Sequence, residues 1–116
     1  MAKIFPKIWF GDRIVDSADA SLHVGSAAVL YGLSVYTVFP VIHIGSGFSI
    51  FRLGEHIERL QKSAKLIGIE LPDVCTSMDR FTTIVEQLVD ANSLGTTVFA
   101  RATIHVDELV PGTRAK

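Results

Sequence analysis

Cysteine occurs once in the 116 residues, at Cys75. A single thiol excludes an internal disulfide and any cysteine-based zinc site. The simplest setting is therefore a reducing one, and the cytoplasm is expected. Cys75 follows Pro72-Asp73-Val74 and reads as a loop residue rather than a nucleophile. Strong charge is also missing: 20% of residues are charged and the formal net charge is -1. No basic stripe points to nucleic acid, and no block of like charge forms a tail. Met1-Ala2-Lys3-Ile4-Phe5-Pro6 lacks the long apolar stretch of a signal peptide. The run Ala27 to Ile44 approaches membrane-span length, but it holds Gly32, Ser34, Thr37, Pro40 and His43. It reads as two buried elements, and no membrane partner is expected. Internal repeats and low-complexity stretches are absent.

What is present is a chain 48% hydrophobic, enough for the core of one domain. Ile8-Trp9-Phe10, Gly11-Asp12 and Arg13-Ile14-Val15 spell a tight hairpin with a type II′ turn. Asp16 to Ser21 is a polar loop, and Leu22-His23-Val24 reads as a short extended piece. Ser26 caps a brief helix over Ala27 to Tyr31 that Gly32 ends. Ser34 to Ile44 and Phe48 to Arg52, joined by Gly45-Ser46-Gly47, predict a second hairpin. Pro40 suggests an edge position or a bulge. A helix from Gly54 or Glu55 to about Ile67 carries the stripe Ile57, Leu60, Ala64, Ile67. His56, Arg59 and Ser63 share another of its faces. Gly68 stops it.

Thr76 or Ser77 caps the next helix, and Asp79 makes a capping box with Thr76. Met78, Phe81, Val85 and Leu88 form its stripe. Thr96 to Val106 is a strand with Val98, Ala100, Ala102 and Ile104 on one face. Thr97, Phe99, Arg101, Thr103 and His105 occupy the other. The fold class is α+β: an antiparallel sheet built from hairpins, with two amphipathic helices packed on one face. Residues 1–106 make the domain, and 107–116, with Pro111-Gly112, read as a linker.

Three groups of residues could carry chemistry. Arg59 lies near a loop–helix junction, where a guanidinium and free N–H groups suit a phosphate; the plain alternative is a solvated helix arginine. Arg101 sits mid-strand beside Phe99 and Thr103, either on an exposed sheet face or as a carboxylate binder. Tyr31 and Tyr36 are either core aromatics or a pocket wall. His56 reads as a neutral structural hydrogen-bonder, with no partner at zinc-like spacing.

Taken in order, the motifs resemble those of the class IV, or fold-type IV, aminotransferases, which use pyridoxal phosphate. Ile8-Trp9-Phe10-Gly11-Asp12 is similar to that family's opening hairpin. Tyr31-Gly32 with Val35-Tyr36 is similar to its Y/D-G-x-x-V-F/Y segment. Glu55-His56-Ile57-Glu58-Arg59-Leu60 with Ser63-Ala64 fits its E-H-x-x-R-L-x-x-S-A motif without a gap. The resemblance covers Ile8 to about Val106. It implies that Arg59 holds the cofactor phosphate and that Tyr31 and Tyr36 line the substrate pocket. Arg101 falls where branched-chain aminotransferases carry the arginine of a Y-I-R-P segment, which here reads Phe99-Ala100-Arg101-Ala102. Val38 stands where branched-chain enzymes have glycine in F-E-G, and narrows the pocket by about an isopropyl group. Tyr36-Thr37-Val38 is more like the D-amino-acid enzymes.

The same resemblance implies a homodimer acting on an amino acid and a 2-oxo acid. It also implies a C-terminal domain that holds the Schiff-base lysine, the glutamate facing the pyridine nitrogen and most of the phosphate loops. No residue here is assignable as that lysine; Lys62 and Lys65 read as solvated charges on the first long helix. The expectation is an N-terminal small domain, inactive alone. The rivals are a D-amino-acid aminotransferase or aminodeoxychorismate lyase on the same scaffold, or a binding or assembly module without catalysis.

Overall fold

Gly11 adopts φ +73°, the left-handed conformation that the first turn position of a type II′ hairpin needs. It closes β1 (Lys7–Phe10) onto β2 (Arg13–Asp16), with Phe10 opposite Arg13. The computed structural model describes residues 4–106. The expected linker, 107–116, lies outside the described residues.

Leu22-His23-Val24, expected as an extended piece, joins no sheet; the imidazole of His23 instead accepts the N–H of Gly25 at 2.8 Å. Ser26 then caps α1 (Ala27–Tyr31), its hydroxyl accepting from Val29 N–H, and Gly32 ends the helix at φ +64°. The next strand, β3 (Ser34–Ile44), is the centre of a three-stranded antiparallel sheet in the order β4-β3-β5, with β4 at Gly47–Ile50 and β5 at Val98–His105. The hairpins thus supply two sheets rather than one, and β1-β2 stands apart as a ribbon.

Pro40 is not at a sheet edge. It sits opposite Phe99 in the central strand. The reason it is tolerated lies in the short partner. β4 pairs with β3 only from Val41 to Ile44. The Pro40 carbonyl accepts from Phe51 N–H at 3.2 Å, so its nitrogen also faces the β4 side, just beyond the end of that ladder. The missing donor therefore removes only the reciprocal bond to Phe51 C=O, at the very end of the pairing.

Two helices cover one face. α2 (Leu53–Leu66) starts a residue or two before the expected Gly54 or Glu55, and buries Leu53, Ile57, Leu60 and Ala64. Ile67 leaves the expected stripe and is exposed, because Gly68 turns the chain at φ +78°. Gly68 N–H bonds to Lys65 C=O and Ile69 N–H to Ala64 C=O, a Schellman closure that puts Ile69 in the core in its place. Before α3 (Met78–Ala91), Ser77 alone is the cap, accepting from Arg80 N–H; Thr76 is spent on a single 3₁₀ turn, Asp73–Thr76, where its hydroxyl donates to Asp73 C=O. The Thr76–Asp79 capping box is therefore not formed.

The core joins both layers. Phe39 and Val41 of β3, Leu53, Ile57, Leu60 and Ala64 of α2, Phe81 and Val85 of α3 and Ile104 of β5 pack as one cluster. Phe39 and Phe81 meet with ring centroids 5.8 Å apart. Met78 is half exposed, its thioether lying over Gly54 of α2, and Leu88 is only partly covered, so the buried stripe of α3 is shorter than its spacing suggests. Cys75 is a core residue in the 3₁₀ turn rather than a loop thiol. The ribbon is anchored through Asn92 at the end of α3. Its Oδ1 accepts Lys7 N–H and its Nδ2 donates to Lys7 C=O, both at 2.8 Å.

Candidate functional site

The guanidinium of Arg59 is held through one terminal nitrogen, and its other N–H groups meet no partner among the described residues. Nη2 donates to Thr37 Oγ1 at 3.2 Å and lies 3.2 Å from His56 Nδ1; Thr37 Oγ1 and His56 Nδ1 are 3.0 Å apart. Thr37 is 2% exposed, so one of these partners is fixed by the core itself. His56 leans on buried Phe39, centroids 5.8 Å apart. The carboxylates that share an open depression of 260 Å³ with Arg59 are engaged elsewhere. Glu58 pairs with Lys62 at 3.0 Å and Glu55 with Arg52 at 3.5 Å. Among the described residues, no ion pair neutralises Arg59.

The loop–helix junction is not what positions it. Since α2 begins at Leu53, Arg59 stands six residues in, about 9 Å of helix rise from the first free N–H groups. The hydroxyl of β3 replaces the expected helix terminus. Thr37 was missed as a site residue. The available signal was one polar side chain among Val35, Phe39 and Val41, the inward residues of β3.

On the opposite face of the sheet, four other candidates come together. Val38 lies directly across from Arg101, Pro40 from Phe99, and Tyr36 from Thr103. The guanidinium carbon of Arg101 sits 3.9 Å from the centroid of the Tyr36 ring, a stacked cation–π pair. Among the described residues no helix covers this face: Tyr36 is 56%, Val38 39% and Phe99 75% exposed. At its far end Phe10 of the ribbon stacks on His105 at 6.0 Å. Tyr31, the last residue of α1, is exposed too, with its helix tied to the sheet by Ala28 N–H on Val106 C=O.

The candidates therefore form two groups rather than one pocket. Arg59 reaches β3 from the helix side through Thr37; Tyr36 and Val38 stand on the other side of the same strand. Between them runs an open edge. No strand of the described residues pairs with β3 on the β4 side before Val41, and the peptide groups of Tyr36 and Val38, with the parity of Pro40, point to that edge. Cys75 belongs to neither group, and burial pushes its thiol above the ordinary value. No cluster of His, Cys, Asp and Glu among the described residues could hold a metal, and no described helix is long and apolar enough to cross a membrane.

No family model matches the chain. Over 105 residues it is 32% identical to the branched-chain-amino-acid aminotransferase of Escherichia coli strain K12, a match spanning 90% of this chain and 33% of that protein. The solved structure of the E. coli branched-chain aminotransferase superposes with a TM-score of 0.81 at 29% identity, over 97% of this chain and 37% of that one. The chain is homologous to the N-terminal domain of the fold-type IV aminotransferases. The chain is also 34% identical, over 86 residues, to the D-alanine aminotransferase of Bacillus licheniformis, covering 74% of this chain and 28% of that protein. The domain spans about a third of the length of the curated relatives it matches. The family is one of pyridoxal-phosphate-dependent aminotransferases, and its solved members that match this chain include a branched-chain enzyme with pyridoxamine 5′-phosphate.

Proposed function

We propose that this chain serves a pyridoxal-phosphate-dependent amino acid aminotransferase of the branched-chain kind, as the domain that grips the cofactor ester and walls the substrate site. One observation carries this reading: Arg59 is anchored by a buried hydroxyl, has no carboxylate partner among the described residues and keeps its remaining N–H donors for an anion. A fixed guanidinium with free forked donors fits a phosphate ester. Tyr36, Val38, Phe99 and Arg101, with Tyr31, form the wall toward an amino acid or 2-oxo acid. The open edge of β3 lies between this wall and Arg59, and a bound molecule there touches both. When bound, the cofactor supplies the electron sink for reaction at the amino acid Cα.

The chain alone is inactive in this reading. Lys62 and Lys65 are exposed on α2, and Lys62 is paired with Glu58, so neither is a desolvated nucleophile. Homodimer formation and a cytoplasmic setting complete the proposal. A D-amino-acid specificity is the second reading, favoured by the Bacillus relative.

The test uses 4-deoxypyridoxine 5′-phosphate, which carries the ester but no aldehyde to label lysines. Phosphorus NMR titration of the chain should show binding that Arg59→Ala weakens roughly 10- to 100-fold, the effect of losing charged hydrogen bonds. Equal binding by both proteins overturns the assignment. Mixed with pyridoxal phosphate, an amino acid and a 2-oxo acid, the chain should show no amino-group transfer; turnover refutes its dependence on further residues.

A further inference from the structure

We propose that Thr37 and His56 are positioning residues for Arg59, acting as a hydrogen-bonded relay that fixes where the anchored phosphate sits. The inference rests on the reading of Arg59 as that anchor. Its ground is the set of three contacts among Arg59 Nη2, Thr37 Oγ1 and His56 Nδ1, all at 3.0–3.2 Å.

The direction of the relay follows from the donors. Arg59 has only donors, so Nη2 faces acceptors. A proton on His56 Nδ1 would put two N–H groups against each other at 3.2 Å. The consistent assignment leaves Nδ1 bare and the proton on Nε2. Nδ1 then accepts a hydrogen bond from the Thr37 hydroxyl, and that aims the oxygen lone pairs at Arg59. Each member is held from behind. Thr37 is 2% exposed on β3, and the imidazole is tilted against Phe39, itself 1% exposed. His56 and Arg59 are one turn apart on α2, so the helix and the sheet each hold one side of the relay. A long surface arginine ordinarily loses rotamer freedom when it binds an anion; here that freedom is already spent in folding, which favours tighter binding.

The experiment compares Thr37→Val, which keeps the shape and removes the hydroxyl, with Thr37→Ser, which restores it. His56→Leu and Arg59→Ala complete the set, and 4-deoxypyridoxine 5′-phosphate is the probe. Thermal unfolding and far-UV circular dichroism check the fold of each variant. The expected result is a loss of roughly tenfold in affinity for Thr37→Val and for His56→Leu, with recovery in Thr37→Ser. Nitrogen NMR of the unmodified chain near pH 7.5 should show His56 with an unprotonated Nδ1 and a protonated Nε2, a signature that mere packing does not produce. If Arg59→Ala alone weakens binding while Thr37→Val and His56→Leu bind as well as the parent, positioning is overturned and the anchor stands. If Arg59→Ala changes nothing, the anchor reading itself fails. Should Thr37→Val not fold, the NMR decides: a proton on Nδ1 in the native chain overturns the relay.

Discussion

Thr37 places a hydroxyl in a strand face that Phe39 and Val41 otherwise fill with carbon. A buried hydroxyl is destabilising unless bonded, so its partner is informative. That partner, Arg59, lies 22 positions away, and no local pattern links the two. The motif made Arg59 and its helical face legible in the sequence; the identity of what holds it was not, because register and packing across layers decide that. Cys75 shows the same limit. Its place after Pro72 reads as a loop, yet packing buries it at 5% exposure. Burial disfavours the thiolate and raises the thiol above its ordinary 9.0. The sign follows from linkage: the folded state holds the proton more tightly, so stability is complete below pH 9 and falls as pH rises through the folded value. Urea unfolding between pH 8 and 10.5 should show this decline, with a smaller slope in Cys75→Ala. Alkylation of the folded chain at pH 8 should be far slower than of the unfolded chain. Equal rates would place the thiol at the surface.

Among the elements, α2 and α3 end alike but with different residues. Gly68 takes φ +78° after α2, and Ser93 takes φ +51° after α3; in both, the next two N–H groups return to carbonyls of the last turn. Only one end has the residue suited to it. Ser93→Gly should therefore stabilise the domain by about 1 kcal/mol, and Gly68→Ala should destabilise it by about as much. A Cβ built at Gly68 meets nothing within 4 Å, so that cost is backbone strain alone. Denaturant midpoints measure both, and effects of the same sign would refute the account. Asn92 gives a second test. It returns both Lys7 backbone bonds, so Asn92→Ala should speed amide hydrogen exchange throughout 7–16 while leaving β3 and β5 protected. Strand alternation, turns and helix stripes were legible in the sequence because they are local. Pro40 was misplaced because propensity knows only that its N–H is missing. It cannot know that β4 ends beside Pro40, leaving its nitrogen at the mouth of an open edge.

At the scale of the whole molecule, the two sheet faces are unequal. One is sealed by α2 and α3; the other presents Tyr36, Val38 and Phe99 to water, with Arg101 laid over the tyrosine ring. A contiguous apolar face on a domain spanning a third of its relatives is a surface that drives association in isolation. Sedimentation should show a rising weight-average mass with concentration. Phe99→Lys should shift the population toward monomer with little change in melting temperature, because Phe99 is 75% exposed and contributes little to the core. Leu66→Lys is the control: that side chain is even more exposed, at 87%, but stands at the end of α2, away from the open sheet face. Dissociation by Leu66→Lys and not by Phe99→Lys would mean that exposure, not the β3–β5 face, brings copies together. The reverse result ties association to the wall of the proposed substrate site.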